Sequence, residues 1–481
     1  MKYLKVLLLL IPSFVFAQNK KNILFICIDD LRPELASFGA TYIHSPNIDQ
    51  LAKQGRVFQN HYVNAPSCGP SRFTLLTGTY GPPQNDALFL RSEKMSKNND
   101  SFHKSMPEWF RAKGYTTVSV GKVSHHPGGR GGRDWNDENV IEMPNAWDRH
   151  LMPVAEWKHP RGAMHGLANG EIRGNNVKME VFQAVDGADT QYPDGHTVNE
   201  ALNQIDVLTA DQTKPFFLAV GILKPHLPFG APKKYLDLYE GVKLPEIVSP
   251  EKPAGVSTWH NSNEFRQYNL WNKEPNEDKA FALEVRKHYA ACVSYADAQV
   301  GKIIEKLKET NADKNTIIVL WGDHGWNLGE HGIWGKHNLF NEALHSPLII
   351  SYPELKKKGQ KAMGIVETLD IFPTLCDLTE IEKPDFVQGK SLKPFLNNPK
   401  TKGHVAYSYL NAVHAIKTEK YRFIQHDNLE LELYDHKTDP HESENIAANE
   451  PKKVAELKKI LAEKMAISNW AKGDLKLLSS D

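Results

Sequence analysis

The chain has 481 residues, 40% of them hydrophobic and 24% charged, with 58 basic side chains balancing 58 acidic ones. That composition excludes disordered, collagen-like and polytopic membrane classes and leaves a folded protein with a sizeable core. The zero formal net charge also argues against a general nucleic-acid binder, because phosphate affinity needs a basic excess on some face.

Residues 1–17 read as an export signal. Lys2 and Lys5 precede an apolar run from Val6 to Ile11, and Val15-Phe16-Ala17 forms a small-residue cleavage pattern before Gln18. The run is shorter than the ~20 residues a membrane span needs, so the expectation is a periplasmic or secreted mature chain with no membrane span. The rest divides into a large unit over residues 18–390 and a smaller C-terminal subdomain over 391–481.

Apolar runs at Ile23–Ile28, Thr116–Val120, Phe216–Ile222, Ile317–Trp321 and Leu348–Ile350 read as buried parallel strands. Helical patterns fall between them. Ser45 is placed as an N-cap with Pro46 at the first helical position and Gly55 as the stop. A long helix from Phe281 to Glu309 carries the stripe Val285, Tyr289, Cys292, Ala296, Val300, Ile303, Leu307. This alternation predicts an α/β fold around a mostly parallel sheet. Beyond Ser391 the pattern changes to short antiparallel strands at Val405–Leu410, His414–Lys417, Tyr421–Ile424 and Leu429–Leu433, followed by a helix over Lys452–Met465.

Three of the four cysteines, Cys27, Cys292 and Cys376, sit in apolar contexts and read as core rather than as disulfide partners. Cys68 differs, being flanked by Ser67, Gly69, Pro70 and Ser71.

The strands end in chemistry. Asp29-Asp30 closes the first run, Gly121-Lys122 with His125 the second, Lys224-Pro225-His226 the third and Gly322-Asp323-His324 the fourth. In an open α/β sheet, ligands bind beyond the carboxyl ends of the strands, so these groups converge on one crevice. Three carboxylates there would repel one another unless a cation lay between them. A divalent metal follows; an oxygen-rich set favours Ca²⁺ or Mg²⁺, while a His324 ligand leaves the metal's identity open. The stretch GGRGGRDW from Gly128 is a flexible basic loop, read equally well as the rim of an anion site or as a solvated connector.

A helix beginning near Ser71 would point its free N–H groups at Cys68 and favour an anion there. The segment CGPSRFTLLTG resembles the C-x-P-x-R signature of type I sulfatases, in which the cysteine is oxidised to formylglycine. The resemblance runs through NILFICIDDLRPELASFGA, SPNIDQLAKQG, GKVSHHPGG, KPHLPF and WGDHGWNLGEHGIWGKHNLF, the last three segments being most similar to the iduronate-2-sulfatase branch. It implies an alkaline-phosphatase-like fold with a smaller C-terminal antiparallel sheet, a calcium ion, and a formylglycine-generating enzyme as maturation partner.

It further implies metal ligands Asp29, Asp30, Cys68, Asp323 and His324, and catalytic or sulfate-contacting roles for Cys68, Arg72, Lys122, His125, His226 and Lys336. In that scheme a hydrated formylglycine attacks sulfur with help from Asp323, while Arg72 and Lys122 hold its oxygens. His226 protonates the leaving alcohol, Lys336 clamps a sulfate oxygen, and His125 removes the proton that lets sulfate depart.

The expected substrate is a sulfated, uronate-containing saccharide of ulvan or carrageenan type, or a glycosaminoglycan fragment as for an iduronate-2-sulfatase. Arg130, Arg133, Trp135, Trp259 and His260 are possible sugar contacts, with local packing or a solvated loop as the alternative. His126 is placed outside the immediate site; His331 and His337 flank Lys336 and could line the substrate pocket, but loop histidines are too common to be assigned there. Two other classes stand open. A phosphatase or phosphodiesterase of the same superfamily would use Ser or Thr with two metal ions; a non-catalytic carbohydrate binder would keep Cys68 unmodified.

Overall fold

The computed structural model describes residues 20–97, 102–127, 142–173, 178–211 and 213–468. The expected export signal, residues 1–17, and the basic loop with Arg130, Arg133 and Trp135 lie outside these residues.

Eight strands form the main sheet: β1 (Asn22–Ile28), β2 (Arg56–Tyr62), β3 (Thr116–Gly121), β4 (Arg149–Leu151), β5 (Phe216–Ile222), β6 (Thr316–Gly322), β7 (Leu348–Ser351) and β8 (Lys361–Glu367). Their order is β8-β2-β7-β6-β1-β5-β3-β4. β1 reads NILFICI with no polar residue after Asn22 because it is covered on both faces. Its side chains alternate between two cores. Leu24, Ile26 and Ile28 face one, shared with Ile48, Val198 and Val285; Ile23, Phe25 and Cys27 face the other, shared with Phe73, Leu76 and Phe372. Each fully buried aliphatic or aromatic side chain contributes ~1.5–3 kcal/mol, so these two layers dominate the stability of the sheet.

β1 pairs in parallel with β5 and β6, setting Ile28 beside Ile222 and Gly322. The residues that follow these strands therefore emerge side by side. β7 corrects the expectation of a parallel strand at Leu348–Ile350: it runs antiparallel to both β6 and β2. An apolar run reports burial and carries no direction. β2 and β8 were not foreseen because their sequences are mixed. Arg56 is nevertheless buried, donating to the carbonyls of Lys357, Gln360, Phe395 and Leu396.

The helix Pro46–Gln54 has the expected bounds, but Ser45 does not cap it. Its Oγ accepts from the Ala36 N–H at 3.2 Å and donates to Asp49 at 3.0 Å. The long helix spans Lys279–Glu309, capped by Asp278, which accepts from the Phe281 N–H. A second sheet, β9 (Ala406–Leu410), β10 (Val413–Lys417), β11 (Tyr421–Gln425) and β12 (Leu431–Asp435), is an antiparallel meander. The helix Pro451–Ile467 packs Leu457 and Leu461 against its Tyr407, Tyr409, Phe423 and Leu433. All four cysteines are free and buried. Among the described residues no helix is long and apolar enough to cross a membrane.

Candidate active site

Cys68 is the first residue of the helix Cys68–Thr77, with Ser67 as N-cap. Its side chain therefore sits where unpaired N–H groups and the helix dipole favour negative charge. The helix is buried along its whole length, which fixes the thiol against the ends of β1 and β6.

Around it the strand-end residues converge. Asp29 Oδ1 lies 3.0 Å from Arg72 Nη2, and its other oxygen pairs with Lys122 Nζ. Asp323 Oδ2 accepts from Arg72 Nε at 3.0 Å, and Oδ1 accepts from the Asp30 N–H at 2.9 Å. Asp30 Oδ1 is 2.8 Å from Lys336 Nζ and 3.3 Å from His324 Nε2. Cys68 Sγ is 3.3 Å from both His324 Nε2 and Lys336 Nζ. The side chains of Asp29, Asp30, Arg72, Lys122, Asp323 and His324 have no solvent exposure.

Asp30 takes a left-handed backbone, φ 57°, an arrangement that costs ~1–2 kcal/mol in an ordinary residue. Its carbonyl is held by the Tyr289 hydroxyl at 2.9 Å, so the long helix supports the strained corner from behind.

Asp29, Asp30 and Asp323 are each paired with a cation, although Lys336 is shared with a fourth carboxylate, Glu264. The repulsion that called for a metal is already compensated by Arg72, Lys122 and Lys336, so charge balance alone does not require an ion. Two other features fit one. Asp29, Asp30, Cys68 and His324 each present a ligand atom within 4.8 Å of the others, and Asp30 Oδ2 is buried with no hydrogen-bond partner. His324 Nδ1 bonds the Gly325 carbonyl at 3.0 Å, which leaves Nε2 with its lone pair facing the cluster. Asp323 stands outside this foursome, its two oxygens engaged by Arg72 and the Asp30 backbone. The donor set suits a hard divalent cation. Such an ion would make the site net positive, which favours an anionic ester.

The titration of the cluster follows from burial and pairing. Burial pushes a carboxylate up, yet Lys122 and Arg72 hold Asp29 well below the usual range. Burial raises Asp30 and pushes Asp323 up to about 6. Burial and Asp29 drive the Cys68 thiol well above its ordinary value.

The two candidate proton carriers flank the cluster. His226 donates from Nδ1 to the Leu227 carbonyl at 2.6 Å, and its Nε2 is 3.5 Å from Glu264 Oε1. His125 has a buried Nδ1 with no hydrogen-bond partner. Burial and nearby lysines hold both rings well below the ordinary histidine value.

Three groups escaped the sequence reading. Glu264 also reaches Lys336 Nζ at 3.4 Å. His165 stands 5.4 Å from His226, ring to ring. Glu142 accepts from the His126 N–H at 2.8 Å, and burial pushes its carboxyl up to about 7. None follows a strand or belongs to a motif, so no sequence signal marked them.

A family model described as Sulfatase matches residues 21–381, and one described as N-sulphoglucosamine sulphohydrolase, C-terminal, matches residues 329–469. A sulfatase of Formosa agariphila is 32% identical over 451 residues, covering 90% of this chain and 84% of its own. Human iduronate 2-sulfatase is 31% identical over 396 residues, covering 76% of this chain and 70% of its own. A solved structure in complex with its substrate D-glucosamine-2-N,6-O-disulfate superposes with a TM-score of 0.71 at 22% identity, covering 95% of this chain and 99% of that one. The phosphonate monoester hydrolase of Agrobacterium radiobacter superposes equally well, TM-score 0.71 at 22% identity, covering 93% and 96%; at that identity both show the fold alone. The alkaline-phosphatase-like architecture is thus that of the relatives, and the matched model and the relatives above 30% identity show that this chain belongs to the type I sulfatase family of sulfuric ester hydrolases.

Proposed function

We propose that the protein is an exported sulfatase that removes sulfate esters from a sulfated, uronate-containing saccharide of algal type, such as ulvan or carrageenan fragments, after conversion of Cys68 to formylglycine. The observation that carries this reading is the placement of Cys68, a buried side chain at the first position of a helix, among three carboxylates and three cations within the family-matched region. An ulvan-active sulfatase of Formosa agariphila, 26% identical over 455 residues with 89% of this chain and 77% of its own covered, supports the algal substrate. The likeness to human iduronate 2-sulfatase keeps glycosaminoglycan fragments as the second reading. The signal-like residues 1–17 support periplasmic or secreted action.

Asp29, Asp30, His324 and residue 68 would hold Ca²⁺, with Asp323 close behind. When bound, the cation supplies Lewis acidity that favours an ionised oxygen on residue 68. The protein's own residues do the rest. Arg72 brackets Asp29 and Asp323 with two nitrogens and turns a third to the carbonyls of Lys122 and Val123, so it positions the carboxylates. Lys336 and Lys122 face the space where sulfate oxygens gather charge. His226 presents Nε2 to the leaving alcohol as its proton source, and His125 takes the proton from residue 68 that releases sulfate.

The test is free sulfate from protein co-produced with a formylglycine-generating enzyme, offered ulvan, carrageenan, heparin and chondroitin oligosaccharides. Release from one class, falling by about 10³-fold or more in Cys68→Ala, is the expected result. Release by the variant at the wild-type rate would overturn the mechanism, and release from heparin or chondroitin alone would overturn the algal assignment.

A further inference from the structure

Beside the catalytic pocket lies a groove of about 370 Å³ that the reaction does not use. Its walls include Trp259, Asn261, His337, Asn85, Leu410 and Asn411, and Ser67, the residue before Cys68, lines it too. The volume falls within the ~300–1,000 Å³ typical of small-ligand sites. From this wall we propose that the groove is a subsite for an uncharged sugar ring, the neighbour of the sulfated residue in an oligosaccharide; this rests on the sulfatase reading and narrows its substrate.

The first reason is Trp259. It is 42% exposed, an unusual state for an indole, and it is held there by a buried network. Ser257 donates to Glu432 Oε2 at 2.6 Å, and His260 Nε2 is 2.8 Å from Glu432 Oε1. Both lie within three residues of Trp259, so one carboxylate grips its segment from either side. His426 joins the same oxygen at 2.6 Å. The indole stands nearly perpendicular to the rings of His260 and His426, at 5.1 and 5.3 Å. Burying a carboxylate is unfavourable unless it is paired and hydrogen-bonded. Here that pairing fixes a solvent-facing aromatic plate, the surface on which the C–H face of a pyranose packs.

The second reason is the chemistry of the remaining wall. Asn85, Asn261 and Asn411 offer amide donors and acceptors suited to hydroxyl groups, and among the described residues no lysine, arginine, aspartate or glutamate lines the groove. The single ionisable group, His337, bonds Ser262 Oγ at 3.3 Å; burial and Lys336 hold it at about 3, so it is neutral near pH 7. A sulfated or uronate ring would meet no counter-charge, whereas a neutral ring loses nothing. The third reason is construction. Leu410 and Asn411 belong to the β9–β10 hairpin and Glu432 to β12, so the second sheet supplies one wall and the clamp.

The experiment compares sulfated monosaccharides with disaccharides that add either a neutral ring or an anionic one, using the mature enzyme. For whichever monosaccharide is hydrolysed, a neutral neighbour should raise kcat/KM by about tenfold or more, and an anionic neighbour by less than about twofold. Trp259→Ala should reduce the neutral-ring gain to about twofold or less, as should Asn411→Gly, which keeps the left-handed backbone at φ 53°. Each variant's own monosaccharide rate is its reference, and Trp259→Phe should retain part of the gain. Equal gains for neutral and anionic rings, or a gain that survives both variants, would overturn the subsite. If no sulfated sugar is hydrolysed although residue 68 is converted, the substrate reading fails separately. Saturation-transfer NMR with lactose, cellobiose, xylobiose and neoagarobiose then decides the groove. Transfer that disappears in Trp259→Ala supports it, and absence of transfer from all four overturns it.

Discussion

The Glu264 carboxylate faces His226 Nε2 across 3.5 Å. Because His226 Nδ1 already donates to the Leu227 carbonyl, a neutral ring would turn a lone pair toward that carboxylate. A proton between them removes the conflict, and it is the proton a leaving alcohol needs. Burial, Lys336 and Lys122 oppose that proton; Glu264 favours it. Replacing Glu264 by Gln removes the favourable charge, so the His226 proton is lost at lower pH. The basic limb of the kcat/KM profile should move to lower pH, and the rate near pH 7 should fall by about 10–100-fold. A profile that superposes on that of the wild type would remove Glu264 from the proton path.

Metal removal tests the cluster beneath. If Asp30 Oδ2 and His324 Nε2 are ligands, chelation should lower the melting temperature of the mature protein, and Ca²⁺ should restore it. At a hundredfold excess over Kd, a ligand that binds only the folded state adds ~2.7 kcal/mol. His324→Ala and Asp30→Asn should each weaken binding by at least about 10–100-fold, read as metal content after dialysis. Retention of a full metal complement by both variants would place the ion elsewhere.

The sequence made the sheet centre and its chemistry legible for one reason: β1, β5 and β6 carry no polar residue after their first position, and the polar residues that follow each mark the crevice. Asp29, Asp30, His226, Asp323 and His324 were found that way, and Cys68 and Arg72 through a motif. Glu264 was hidden because it arrives on an irregular segment between Gly255 and Gln267, where neither period 2 nor period 3.6 applies. Arg56 and His61 hid β2, since a strand with polar residues at buried positions imitates a loop. The direction of β7 was illegible because burial has no polarity. Charge compensation by Lys336, brought from far along the chain, is a tertiary fact, and without it the carboxylates alone overstated the need for a metal.

The seam between the two sheets has its own pH dependence. His404 bridges Glu367 Oε2 at 3.2 Å and Asp370 Oδ2 at 2.7 Å, and Glu367 also accepts from the Tyr407 N–H of β9 at 2.8 Å. Burial opposes the charged ring, but the two carboxylates raise it from 6.5 to about 10. A folded-state value above the unfolded one stabilises fully below pH 6.5, and the contribution disappears as pH rises through about 10. The shift corresponds to at most ~5 kcal/mol, reduced by solvent because a fifth of the side chain is exposed. Urea unfolding between pH 6 and pH 10 should show wild type losing stability more steeply than His404→Gln. Parallel curves would show that the bridge contributes nothing to the seam.

Placement of Lys122 depends on a residue with no side chain. Gly221 in β5 stands opposite Gly121 in β3, and a Cβ there would lie 2.0 Å from the Lys122 carbonyl carbon and 2.1 Å from its oxygen. That carbonyl receives Arg72 Nη1, and the Lys122 side chain pairs with Asp29. Gly221→Ala must push the backbone outward, loosening both contacts at once. The expected effect is a loss of ~1–3 kcal/mol in stability together with a fall in kcat/KM measured well below the melting temperature. Gly114→Ala serves as the comparison: its φ of 92° makes alanine strained, but no atom lies within 4 Å of the added carbon, and it precedes β3 at the end remote from the crevice. It should lose stability while kcat/KM stays as in wild type. If Gly221→Ala also lost stability alone, Lys122 would tolerate displacement, and its assignment beside the sulfate would have to be given up.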